Sequence, residues 1–254
     1  MTNDHFTITQ IMSVVVEIVV YNIESAMNAQ KGGADRIELC DNPAEGGTTP
    51  SFGVMEIVRQ AVTMDVYAMI RPRGGDFVYS AYEYFAMKRD IEMCKRASLD
   101  GVVFGIVKPD GSLDKDRCRK LIEAARPMKV TCHRAFDVTR DPLEALEDCI
   151  EAGFDRILTS GQAQTASDGL KLIKELVIKA GNRISIMPGS GIHVGNAKHI
   201  LESTGATEIH FSAKEFHPSD YPSKIRFTDS LPEHLGKFIT NPEKVREVVE
   251  LLRK

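Results

Sequence analysis

The chain has 254 residues, 43% of them hydrophobic and 27% charged, with a formal net charge of −4. That is material for one large α/β domain or two small ones with a sizeable core. The weakly acidic balance argues against nucleic acid or an anionic membrane as main partner. The longest apolar run, residues 14–21, is too short to span a bilayer and contains Glu17.

Asp4 and the lack of a basic n-region argue against a signal peptide. Residues 1–12 read as a polar leader, with Met12 as an alternative start, ahead of one domain over 13–254. Five cysteines (Cys40, Cys94, Cys118, Cys132 and Cys149) form no C-x-x-C pair. An odd count without that motif speaks against a disulfide framework and for a reducing cytoplasm.

Short β-type runs alternate with helical segments throughout. The first strand covers 14–21, and Asn22 caps a helix over 23–30. Gly32 and Gly33 close it, and strand two is 36–40. A helix over 52–61, a strand over 66–70 and a long helix over 81–97 follow. Strand four is 101–107, and Asp110-Gly111 turns the chain into a helix over 114–125. Strand five, 129–132, precedes a helix over 142–152 with Asp141 as cap and Pro142 at its first position. Strand six is 156–159 with a helix over 167–180. Strand seven is 183–187 with a helix over 196–203, and strand eight is 208–211. A stretch without clear pattern runs to Thr240, and a helix over 242–253 closes the chain.

Eight strand–helix units at roughly 30-residue spacing predict a single (β/α)8 TIM barrel with a C-terminal extension. A doubly wound sheet is the rival, but it favours a glycine-rich turn after strand one. Here that position reads Tyr21-Asn22-Ile23-Glu24. The stretch 213–240, with Pro218, Pro222 and Pro232, is too long for an ordinary connection. It is free to cover a barrel end or reach a partner subunit, which leaves a homo-oligomer open.

A barrel carries its active site at the carboxyl ends of its strands, and the polar residues collect there. Strand three runs into Arg71-Pro72-Arg73-Gly74-Gly75-Asp76. Arginine suits a carboxylate or phosphate because its planar fork offers paired donors. Strand five ends in His133-Arg134-Ala135-Phe136-Asp137, strand six in Thr159-Ser160-Gly161 and strand seven in Gly189-Ser190-Gly191. His210 and Ser212 end strand eight. The glycine turn before a helix resembles an anion-binding loop, although a tight turn also uses glycines.

Side-chain alternation points Glu17, Glu38, Cys40, Thr131 and His133 into the barrel and Cys132 outward. Glu17 and Glu38 with Arg71 could simply neutralise one another inside it. His133 could be a hydrogen-bonded structural residue or a general acid or base, with Asp137 orienting its ring. Cys94, Cys118 and Cys149 fall at core spacings on helices. Cys40 alone combines a strand end with an inward direction, but no local cluster of Cys, Met and His supplies a Cu(I) ligand set.

These motifs resemble the CutC family, named for copper homeostasis. The resemblance runs from about residue 16 to 213. It rests on Gly33-Ala34-Asp35-Arg36-Ile37-Glu38-Leu39-Cys40, Glu45-Gly46-Gly47-Thr48-Thr49-Pro50-Ser51 and residues 69–80. It continues through Val103-Phe104-Gly105, His133-Arg134-Ala135-Phe136-Asp137 and Leu158-Thr159-Ser160-Gly161. Cys132 departs from it, since the family carries Phe before His-Arg. Gly189-Ser190-Gly191 varies a glycine-only turn.

The resemblance implies a cytoplasmic TIM barrel linked to copper handling, with copper bound in some members. Two expectations follow. One is a copper-homeostasis protein with Cys40 as the metal ligand. The other is an enzyme acting on a small anionic molecule, phosphorylated or sugar-derived. In that case Arg71 and Arg73 hold the anion with Ser160 and the Gly189–Gly191 turn. Glu38 or His133 moves protons, and Asp76 and Asp137 orient them.

Overall fold

The computed structural model describes residues 14–220 and 236–254, so the leader expected over 1–12 lies outside the described residues. Eight parallel strands form the barrel: β1 (Val15–Val20), β2 (Arg36–Leu39), β3 (Asp65–Met69), β4 (Gly101–Phe104), β5 (Lys129–Cys132), β6 (Arg156–Thr159), β7 (Ser185–Pro188) and β8 (Glu208–Phe211). Neighbours pair in sequence order, β1 also pairs with β8, and a parallel bridge between Gly189 and His210 closes the ring between β7 and β8. The predicted (β/α)8 barrel is thus observed.

The surrounding helices are α1 (Ile23–Lys31), α2 (Phe52–Ala61), α3 (Ala81–Arg96), α4 (Lys115–Ala125), α5 (Pro142–Ala152), α6 (Leu170–Ala180), α7 (Ala197–Thr204) and α8 (Pro242–Leu252). Their starts are written locally. Asn22 accepts from the Ser25 N–H and Asp141 from those of Leu143 and Glu144. Ser80 and Glu83 form a reciprocal capping box. Helix α6 begins three residues later than its apolar pattern suggests. A Cβ on Gly169 would lie 1.9 Å from the Ser160 carbonyl oxygen, so residues 167–169 pack as a turn against the end of β6. The stretch expected to be patternless holds two antiparallel strands, β9 (Lys214–Pro218) and β10 (Gly236–Thr240). Thr240 and Phe238 hydrogen-bond to Ser25 and Asn22, which fastens β10 to α1.

Alternation sorts the strand residues onto two faces. Val16, Ile18, Ile37, Leu39, Val102 and Val130 are fully buried on the outer face beneath the helices. Cys132, Cys94, Cys118 and Cys149 lie in that same apolar layer. The inner face carries charge. Register sets Glu17 beside Arg36 on β2 and His210 on β8, and Thr131 beside Arg156 on β6. Arg36 pairs with Glu17 and, at 2.5 Å, with Glu208, while Arg156 grips Glu208 with two donors. Ser185 donates to Glu208 at 2.7 Å, and both guanidiniums lie over the Tyr67 ring.

Glu17 and Arg36 are neutralised by each other, and not by the Arg71 contact considered from sequence. Two acids and two arginines therefore fill the floor of the barrel in mutual balance. Removing one partner strands the rest in a dry interior. We expect Arg36→Met to lower unfolding free energy by about 3–5 kcal/mol, read as a lower urea midpoint.

Candidate functional site

Above this charged layer, at the carboxyl ends of the strands, lies a cavity of about 120 Å³. Glu38, Arg71, Phe77, His133, Arg134 and His210 line it, with Tyr21, Val19 and Leu158 between them. Glu38 and Cys40 come from the end of β2, Arg71 follows β3, and His133 and Arg134 follow β5. Gly105, after β4, makes the room. A Cβ there would lie 3.0 Å from His133 Nδ1 and 2.9 Å from the Ala135 side chain.

The electrostatics descend from the floor. The second carboxylate oxygen of Glu17 meets His210 Nδ1 at 2.7 Å. His210 Nε2 in turn lies 3.9 Å from Glu38 Oε2, and the Cys40 thiol donates to that same oxygen at 3.6 Å. Burial disfavours charge on His210, but the Glu17 hydrogen bond and the Glu38 and Glu17 charges outweigh it and raise its pKa. Burial pushes the Glu38 carboxyl up to about 7, against the opposing pull of His210. Glu38 is thereby poised between acid and base near neutral pH.

His133 is the opposite case. Its Nδ1 accepts from the Ala135 N–H at 3.2 Å, so the ring proton sits on Nε2. Burial and the Arg71 charge drive its pKa down to about 3, which keeps the imidazole neutral. Nε2–H is then a donor without a partner among the described residues. Asp137, expected to orient this ring, does something else. It accepts from Thr159, Ser160, Gln162 and Arg134, which staples the β5 and β6 loops together.

The arginines divide their roles. Arg71 is buried and gives its donors to the carbonyls of Glu45, Gly47 and Gly75 at 2.6–2.9 Å, with its plane over Phe77. It clamps the loops after β2 and β3 and leaves its charge at the cavity wall. Arg73 and Asp76 pair with each other on the exposed rim, and Arg73 also binds Glu83. Neither lines the cavity, so the structure does not bring them to the other expected site residues.

Ser160 bridges Asp137, Arg134 and the Ala163 carbonyl. Ser190 adopts φ +82° and donates to the Gln164 carbonyl, so this serine holds a glycine-like conformation at the turn. With Gly191 it lines a second cavity, of about 270 Å³, that shares Val19, Arg134, Leu158 and His210 with the first.

Cys40 is 1% exposed, in a small inner cluster with Val19, Tyr67, Met69 and Val103. Burial and the neighbouring Glu38 charge push its thiol well above the ordinary range. Among the described residues, one group of at least three His, Cys, Asp or Glu donors gathers within 4.8 Å: Glu17, Glu38 and His210. It contains no sulfur, and Glu17 is already committed to Arg36 and His210. This donor set does not fit a thiolate-rich Cu(I) centre.

Reading the sequence missed Arg134 and His210 as site residues. His210 was visible at the end of strand eight, and its inward period-two register with Glu208 was the available signal.

A family model described as the CutC family matches residues 14–215. The "Copper homeostasis protein cutC homolog" of Homo sapiens is 51% identical over 216 residues, covering 85% of this chain and 78% of its own. A family protein CutC from Chromobacterium violaceum is 48% identical over 203 residues, covering 80% and 82%. A crystal structure of a CutC protein from Streptococcus agalactiae superposes with TM-score 0.75 at 35% identity, covering 78% of this chain and 98% of that one. Phosphoribosylanthranilate isomerase from Thermotoga maritima, at 14% identity and TM-score 0.58, shares the fold alone.

Two outcomes follow from these electrostatics. At pH 7, nitrogen-15 NMR of the imidazoles should show His133 as the neutral Nε2–H tautomer, and a pH titration should place the His210 pKa above that of an ordinary histidine. Glu38 is harder to ionise folded than unfolded, so its ionisation costs stability. That cost is absent below about pH 4.5 and complete above about pH 7. Urea unfolding should therefore show Glu38→Gln gaining stability relative to wild type between pH 4.5 and pH 8.

Proposed function

The chain belongs to the CutC family, and from its barrel mouth we propose an enzyme that performs acid/base chemistry on a small anionic molecule. One observation carries this reading. Among the described residues, two buried side-chain polar atoms without a hydrogen-bond partner belong to residues of one cavity, Glu38 Oε1 and His133 Nε2, whereas the Arg71 side chain lies against the Tyr79 hydroxyl. Buried polar atoms are ordinarily paired. Orphans gathered at one cavity are groups that wait for a ligand.

Their chemistry is complementary. Glu38 accepts a proton, and neutral His133 donates a hydrogen bond to oxygen without surrendering its own. A carboxylate base beside a neutral imidazole donor suits proton removal from carbon next to a carbonyl. Glu38 takes the C–H proton, the C–H electron pair forms the enolate C=C bond, and the carbonyl π electrons move onto oxygen. His133 Nε2–H stabilises that oxyanion. His210 steadies the Glu38 carboxylate through charge, and Glu17 holds the His210 ring. Arg71 and Arg134 bias the mouth toward anions.

Copper(I) binding is the second reading, and one observation favours it. A Cβ on Gly47 would touch both Cys40 Sγ, at 3.0 Å, and the Met69 methyl, at 3.5 Å, so these two sulfur-bearing side chains converge under the same turn. Thiolate and thioether suit a soft cation, which would have to displace the thiol proton.

The readings separate experimentally. Incubated in D2O with a panel of small oxo acids and sugar phosphates, the protein should catalyse deuterium incorporation next to the carbonyl of one member. Glu38→Gln should slow that exchange at least about 100-fold. Exchange into none of them, or exchange indifferent to Glu38→Gln, would sink the enzyme reading. A Cu(I) titration against a competing chelator addresses the other: stoichiometric binding lost in Cys40→Ser supports it, and no binding removes it.

A further inference from the structure

The cavity beside the acid/base pair has a composition of its own. It is walled by Arg134, Ser190, Gly191, Ile192 and Ser212, and it shares Val19, Arg134, Leu158 and His210 with the first cavity. No carboxylate lines it. The backbone N–H groups of Gly191, Ile192 and Ser212 make no hydrogen bond to any described residue. Ile192 is only 6% exposed, and a buried N–H ordinarily has a partner. Arg134 spends Nε on Asp137 and Nη2 on Ser160, which fixes its plane, and Nη1 makes no bond to any described residue. The positive φ angles at Ser190 and Gly191 let consecutive N–H groups turn toward a common side.

Resting on the acid/base reading of the first cavity, we propose that this second cavity seats the substrate's anionic group, a phosphate or carboxylate. It is held by Arg134 and by the N–H groups of Gly191, Ile192 and Ser212. Arg134 and His210 face both cavities. A molecule seated there thus presents its neighbouring carbons to Glu38 and His133. The substrate class that fits is a short carbonyl compound with a terminal anion, charge at one end and the reacting C–H at the other. The expected anion holders Arg71 and Arg73 are not needed, since the first is bound to three carbonyls and the second lies outside on the rim.

Calorimetric titration of the full chain with inorganic phosphate, methylphosphonate and acetate tests this. Saturable binding of at least one is expected, and the tighter of phosphate and acetate identifies the group. Arg134→Gln should weaken that binding at least tenfold. Because Arg134 also braces Asp137, Ser212→Asp is the second variant. It places a like charge on an exposed wall position and should weaken binding at least tenfold while leaving the urea midpoint near wild type. Glu38→Gln should keep anion affinity within threefold. Absence of saturable anion binding, or binding that Ser212→Asp leaves unchanged, overturns the anion seat. Neither result touches deuterium exchange at Glu38, so a failure here is distinct from a failure of the acid/base reading.

Discussion

Charge balance inside a closed barrel is the constraint from which the rest follows. Glu17, Arg36, Arg156 and Glu208 are sealed beneath the mouth, where an uncompensated ion costs several kcal/mol. Two acids and two arginines satisfy the layer, but Glu17 has one oxygen left over. That oxygen holds His210, and His210 meets Glu38. The floor that keeps the barrel electrically neutral thus also sets the protonation of the site above it. A buried ion network of this kind contributes position more than stability, because most of its Coulomb gain is spent on desolvation.

The two histidines show how environment assigns roles to one side chain. His210 stands between the Glu17 and Glu38 carboxylates, which raise its pKa. His133 stands near Arg71 with its Nδ1 blocked by a backbone N–H, and stays neutral. Glu38 lies between these regimes, pushed toward neutrality by burial. Such divergence among adjacent titratable groups is a mark of acid/base sites. The sulfur chemistry, by contrast, is muted. Cys40 is protonated and enclosed, and the other four cysteines pack as apolar volume beneath the helices.

The loop Arg71–Asp76 illustrates how a sequence signal can locate a site without fixing what each side chain does there. Two arginines and a glycine pair within five residues mark the mouth, and they are at the mouth. Arg71, however, spends its fork on carbonyls of the loops after β2 and β3, so it builds the cavity wall and supplies field rather than a free grip. The half-exposed Arg134, read only as the neighbour of His133, keeps an uncommitted face toward both cavities. Asp137 was placed correctly on its loop, and its carboxylate is consumed by five donors of the β5 and β6 loops.

The sequence by itself determined the barrel, because strand and helix periods, caps at Asn22, Ser80 and Asp141, and glycine turns are local properties of the chain. It also determined that Glu38, Cys40 and His133 face inward and Cys132 outward, since a strand's side chains alternate. Partnership was decided only by the tertiary structure. Glu17 lies 19 residues from Arg36 and 193 from His210, and Glu208 joins Arg36 from 172 residues away. Which acid neutralises which base, which donor is left free and which thiol is enclosed depend on distances across a closed ring. No period along one strand encodes them.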